Sequence, residues 1–183
     1  ENRLQEIIPK YNGLETTYDE RRIKWHMIGH LQTNKVKEAV RIFDLIQSVD
    51  SLRLGQAISK EAGKINKQQD ILLEVKTSPE ESKFGLKPED TFAVFQEISR
   101  LPNISVKGLM TIAPFTDIPE ASRPYFKMLK ELSEKLDRRP ETSDRRLETR
   151  DRGPILSMGM SGDFEIAIEE GSTMIRLGRA IFQ

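Results

Sequence analysis

Six short apolar runs, separated by stretches of helical periodicity, constrain this chain of 183 residues more than any other feature. They are WHMIGHL (25–31), DLIQSV (44–49), DILLEV (70–75), VKGLMTI (106–112), PILSMGM (154–160) and TMIRLG (173–178). Each is short and bounded by turn-forming or polar residues, so each reads as a strand. Between them the helices have recognisable ends. Asp50 caps a helix that runs through Ala62, and Pro88 opens one that carries Phe92, Phe95 and Ile98 and ends before Pro102. A further helix spans 124–136 with Phe126, Leu129 and Leu136 on its apolar stripe, and another starts after Ser161 and stops at Gly171. The chain itself begins in an amphipathic helix with Leu4, Ile7 and Ile8 on one face, without a cap in front of it.

Parallel strands need long crossovers, usually helical, so this alternation predicts an α/β protein with a mostly parallel sheet. Closed eight-stranded barrels take about 250 residues, roughly 200 at the low end. Six strands in 183 residues therefore predict an open sheet or a barrel short of its first units. We expect one domain over 1–183, interrupted only by DRRPETSDRRLETRDRG (137–153), which has too little apolar surface to repay its ordering and reads as a flexible solvent loop.

Several function classes recede at once. Lysine plus arginine (29) balances aspartate plus glutamate (29), and acidic residues interleave with the arginines of 137–153, so nothing favours a nucleic-acid partner. The sequence contains no apolar run of membrane-spanning length. Cysteine is absent, which removes disulfides and thiolate metal sites and fits a reducing cytoplasm.

The candidate chemistry lies near the strand ends. His26 and His30 are the only histidines; HMIGH lacks the glutamate of a helical zinc motif, and strand spacing puts both on one face with Ile28. His26 reads as packed or hydrogen-bonded. His30, at the C-terminal end of its strand where β/α folds place their sites, is the functional candidate. The sequence has neither a G-x-S-x-G elbow nor a Walker or G-x-G-x-x-G pattern.

An anion site has more support. In GMSG a strand leads into a helix, so backbone N–H groups and the Ser161 hydroxyl can converge there, while Gly178 ends the next strand without a side chain to block close approach. Taken singly, Ser161 is equally an ordinary cap and Gly178 an ordinary turn. Arg176 tips the balance, because a strand arginine within MIRLG should not be buried without a partner.

The segments ENRLQE, WHMIGHLQTNKVK, EESKFGL, GLMTIAP and LSMGMSGDFEIAIEEGSTMIRLGRAIF closely resemble the pyridoxal phosphate homeostasis protein family, single-domain relatives of the alanine racemase barrel. Outside 137–153 the resemblance covers nearly the whole chain. It implies a (β/α)8 barrel of the alanine racemase N-terminal type that binds pyridoxal 5'-phosphate (PLP) at its C-terminal strand ends, as a carrier or regulator of the cofactor and not a catalyst. By that resemblance Ser161 and the backbone at Gly178 and Arg179 hold the phosphate, and Arg176 faces the pyridine nitrogen. Asn2 corresponds to a cofactor-side asparagine and Lys83 to a lysine near the mouth of the site.

One departure matters. The family's Schiff-base lysine sits on the first strand, ahead of a GEN segment, and this sequence begins at EN. The expectation is a barrel lacking its first strand and most of its second, with PLP held weakly and noncovalently or not at all. Other readings stay open: a fold-type III PLP enzyme such as an amino-acid racemase, which needs an opposing acid/base from elsewhere, or a fragment without independent function. Apo-forms of PLP-dependent enzymes are the implied partners.

Overall fold

The computed structural model describes residues 1–14, 23–80, 84–137 and 153–182. Six strands form one parallel sheet in sequence order: β1 (His26–Met27), β2 (Leu45–Val49), β3 (Gln69–Glu74), β4 (Ile104–Met110), β5 (Ile155–Met160) and β6 (Met174–Arg176). All six expected strands are present. Among the described residues seven α-helices accompany them: α1 (Leu4–Leu14), α2 (Val36–Ile42), α3 (Leu52–Lys64), α4 (Thr91–Ile98), α5 (Arg123–Asp137), α6 (Phe164–Glu169) and α7 (Arg179–Phe182). The short α2 has little periodic signal in the sequence and is fixed by Val36, Ala39 and Val40, all buried.

The strands are hydrophobic on both faces because the sheet curls, with helices on its convex side. There Ile46, Val49, Ile71, Leu73, Val106 and Leu109 belong to one core with Leu54 and Ile58 of α3, Phe95 and Ile98 of α4, Phe126 and Leu129 of α5 and Ala167 of α6. The concave side has a smaller apolar floor of Leu45, Leu72 and Met110, with Ile155 and Met174 against it. Above that floor, toward the C-terminal strand ends, the inward side chains turn polar.

Register shifts in the β2–β3, β3–β4 and β5–β6 pairings adjust which side chains face inward. The β4 irregularity includes Gly108, where a Cβ would lie 2.0 Å from the Ile155 carbonyl oxygen. Beyond β1, Glu1 continues the parallel pattern: its amino group donates to the His26 carbonyl at 2.7 Å, and Ile28 N–H donates to the Glu1 carbonyl at 2.9 Å. Gly29 lets the chain pass, since a Cβ there would meet the Asn2 carbonyl oxygen at 2.0 Å.

Three local expectations need correction. Ser51, not Asp50, caps α3, its hydroxyl accepting from Leu54 N–H at 3.3 Å. The helix expected from Pro88 starts at Thr91, with Pro88 in the preceding turn. Ile8 is exposed although Leu4 and Ile7 are buried, because the contact face of α1 is narrower than its apolar stripe. Residues 138–152, most of the expected loop, lie outside the described residues. At the far end of the sheet Arg123 contacts Glu120, Glu169 and Glu170, the last two at 2.6 Å, tying the start of α5 to the end of α6. No helix among the described residues is long and apolar enough to cross a membrane.

Candidate functional site

Among the described residues, clefts open at the C-terminal ends of the strands. One, of about 550 Å³, lies beyond β4, β5 and β6 and includes Ile112, Phe115, Met160, Ser161, Gly162 and Gly178 in its lining. The other, of about 400 Å³, lies beyond β1 and β2 and includes His30, Gln32, Asn34, Asp50, Ser51 and Arg53.

In the larger cleft the two readings of Ser161 separate. An ordinary cap would turn toward its own helix, yet α6 begins only at Phe164, and its leading turn is held by Asp163, whose carboxylate accepts from Met160 N–H at 2.6 Å. Ser161 Oγ instead accepts from Gly178 N–H at 3.4 Å and Ala180 N–H at 3.3 Å, across the next strand. Two backbone donors therefore converge on one exposed oxygen through long bonds, an arrangement in which an anion's oxygen can take over both donors. Among the described residues there is space as well: a Cβ built at Gly162 or Gly178 would meet none of their atoms within 4 Å. Asp163 and Glu80 also line this cleft, so what it offers an anion is directed backbone donors and not net positive charge.

Arg176 ends β6 two residues before Gly178 and is 7% exposed. Its Nη1 donates to Ser157 Oγ and its Nη2 to the Thr111 carbonyl, both at 2.7 Å. Nε is buried with no hydrogen-bond partner among the described residues. Burial draws the guanidinium down to about 10, against the opposing pull of Glu74 and Asp163, so it stays cationic at neutral pH. The thread continues inward, because Ser157 Oγ donates to Gln47 Oε1 at 2.6 Å and Gln47 Nε2 lies 3.1 Å from His26 Nδ1. Burial also holds the His26 imidazole below its ordinary range.

Glu74 stands two residues beyond Leu72 on β3, hence on the same concave face. Its carboxyl is pushed up to about 7, first by burial and then by Asp50, with Arg176 pulling the other way.

The structure thus joins Ser161, Gly178 and the start of α7 at Arg179 in one place, with Arg176 just behind on β6. His26 is hydrogen-bonded, as expected, but His30 does not share its strand face: β1 ends at Met27 and the chain bends at Gly29. His30 lines the second cleft, its Nδ1 3.2 Å from Asp50 Oδ2 and its ring stacked on Phe84 at 3.7 Å between centroids. Asn2 is exposed beside Gly29, and Lys83 lies outside the described residues. Sequence reasoning missed Gln47, Glu74 and Ser157. Their signal was there: each is a polar residue inside an apolar strand run, and each is buried.

The sequence profile described as "Alanine racemase, N-terminal domain" matches residues 3–183. The "Pyridoxal phosphate homeostasis protein" of Aquifex aeolicus (strain VF5) is 45% identical over 182 residues, covering 100% of this chain and 74% of the relative. Among solved structures, PipY of Synechococcus elongatus PCC7942 with PLP bound superposes with a TM-score of 0.85 at 34% identity, covering 100% of this chain and 79% of PipY. An alanine racemase of Clostridium difficile 630 shares the fold alone, with a TM-score of 0.69 at 17% identity over 93% of this chain and 41% of the racemase.

Proposed function

The chain belongs to the alanine racemase N-terminal domain family, and from that membership and the geometry of the concave face we propose that it binds PLP and acts in intracellular PLP homeostasis. Its role is to hold and release the cofactor, not to turn over a substrate. The observation that carries this reading is Arg176 Nε, a buried cationic donor with no hydrogen-bond partner among the described residues, behind the Ser161 cradle. The names of its relatives and the PLP-bound PipY structure support the same ligand.

The chain's residues fit PLP as follows. Ser161 Oγ and the N–H groups of Gly178 and Ala180, with the backbone of Arg179 between them, would take the phosphate, and Arg176 Nε the ring nitrogen. When bound, PLP supplies a reactive aldehyde on an electron-withdrawing pyridine ring. Arginine is a donor without an acceptor, so Arg176 leaves the ring nitrogen unprotonated and blunts that electron withdrawal, which suits storage better than catalysis. His30 and Asn2 would then serve the rim of the site, since His30 lines a separate cleft.

We read 1–183 as a single barrel-type domain, its six strands an arc of the family's eight, with Glu1 marking the place of one further strand beside β1. Recipients of released cofactor would be apo-forms of PLP-dependent enzymes, and the cysteine-free composition suits a reducing cytoplasm.

The test is to equilibrate the purified chain with PLP, follow its absorbance, and repeat after borohydride. An absorbance change that saturates as PLP is added supports the reading, and unchanged absorbance contradicts it; borohydride shows whether the bound cofactor is attached at a lysine. Racemisation of alanine by the isolated chain, lost in Arg176→Ala, would replace the carrier reading with an enzymatic one.

A further inference from the structure

Four polar side chains form one hydrogen-bonded line across the concave face, from β6 through β5 and β2 to β1. Its links are Arg176 Nη1 to Ser157 Oγ at 2.7 Å, Ser157 Oγ to Gln47 Oε1 at 2.6 Å, and Gln47 Nε2 to His26 Nδ1 at 3.1 Å. Ser157 and Gln47 are 0% and 1% exposed, so solvent cannot substitute for a missing partner.

One end of this line dictates every other bond. A guanidinium only donates, so Ser157 Oγ must accept from it. The single proton of that hydroxyl goes to the Gln47 carbonyl oxygen, the acceptor that Ser157 Oγ reaches among the described residues. This turns the Gln47 amide so that its NH2 faces His26, and Nδ1 must be an acceptor. His26 is therefore the neutral tautomer with its proton on Nε2. At the other end, Nη1 is held by Ser157 and Nη2 by the Thr111 carbonyl, so Nε is the one guanidinium nitrogen that no hydrogen bond occupies among the described residues.

We propose that Ser157, Gln47 and His26 are positioning residues that clamp the Arg176 guanidinium in the rotation presenting Nε to the cofactor ring, through a proton order fixed from Arg176 to His26. This rests on the reading of Arg176 as the partner of the PLP ring nitrogen. A proton added to His26 puts a donor at Nδ1 against the Gln47 NH2. Gln47 must then turn its amide over, the Ser157 hydroxyl proton loses its acceptor, and the clamp on Nη1 loosens. The groups acting on His26 are the Asp44 carboxylate, which favours the proton, and the Glu1 ammonium and Lys24, which oppose it; burial outweighs them all and keeps the ring neutral.

Imidazole ¹⁵N NMR of the full, ligand-free chain tests the proton order. The expected spectrum at neutral pH has an unprotonated Nδ1 and a protonated Nε2 on His26, and Gln47→Glu, which replaces the NH2 donor by an acceptor, moves the proton onto Nδ1. A proton on Nδ1 in the parent chain overturns the proposal whether or not PLP binds. Equilibrium dialysis with PLP, run well below each variant's thermal midpoint, tests the positioning role: Ser157→Ala should weaken binding about tenfold, and Gln47→Leu, which takes away the acceptor of the Ser157 proton, should weaken it too if Ser157→Ala does not fold. Parent-like affinity in the folded variants overturns positioning. If the parent binds no PLP, the cofactor reading fails and the positioning role with it, while the tautomer remains a separate result on the hydrogen-bonded line.

Discussion

Arg176 Nη1 lies 2.7 Å from Ser157 Oγ, a bond between neighbouring strands in which both partners are shut away from solvent. It makes the cation part of the barrel wall, with its remaining donor directed by what its other nitrogens already hold. Arg176→Lys keeps the charge but loses the planar fork, and an ammonium cannot serve Ser157, the Thr111 carbonyl and a ring nitrogen in the same geometry. We expect PLP affinity to fall at least about tenfold, by fluorescence titration, in a chain that still unfolds cooperatively. Parent-like affinity would dissociate Arg176 from the cofactor.

Ser161 is expected to matter for the phosphate alone. In Ser161→Ala, Gly178 and Ala180 N–H lose an exposed acceptor that water can replace, so stability should change by less than about 0.5 kcal/mol. Affinity for PLP should drop about tenfold while affinity for pyridoxal, which lacks the phosphate, stays put. Equal losses for both ligands would argue against the cradle.

Glu74 gives stability a pH dependence of definite sign. Its folded carboxyl is raised from 4.5 to about 7, so between those values the folded chain keeps a proton that the unfolded chain releases. Stability contributed by this group is full below the unfolded value, falls as pH rises through the window, and is flat above the folded value. Glu74→Gln removes the fall, and relative to the parent it should gain on the order of 2 kcal/mol between pH 5 and pH 8. Urea midpoints at the two pH values measure it, and a parallel shift of both chains would refute it.

Gly108→Ala drives a methyl group into the Ile155 carbonyl oxygen at 2.0 Å, where two strand backbones meet and neither can yield without breaking the β4–β5 pairing. The expected cost is about 3 kcal/mol or more. Gly13→Ala is the control: in α1 a Cβ there meets no atom of the described residues within 4 Å, so the change should be neutral or stabilising by about 0.5 kcal/mol. Denaturant unfolding of the two variants side by side separates contact from conformational entropy.

Legibility differed from residue to residue. Arg176 stood out because an arginine inside MIRLG is costly unless paired, and Ser161 with Gly178 because a small and a polar residue flank strand ends where β/α folds bind ligands. Asp50 and Ser51 are both good cap residues in adjacent positions, and the pattern cannot choose between them; His30 chose, by taking up the Asp50 carboxylate and leaving Ser51 to cap α3. His30 was misplaced because period-two alternation assumes the strand continues, and β1 ends after Met27.

The sequence by itself determined the strand–helix alternation, hence a parallel sheet, and it singled out Arg176 and Ser161, which the fold brings together near the C-terminal strand ends. Those features are local: burial periodicity and the cost of an unpaired charge act within a few residues. Tertiary structure alone decided that Ser161 turns to Gly178 and not to α6, that His30 lies in a different cleft from Ser161, and that Gln47, 110 residues from Ser157, completes its hydrogen bonding. These outcomes depend on sheet curvature, on register shifts between strands and on where a strand stops, which are set by contacts between distant segments and leave no periodic trace in the chain.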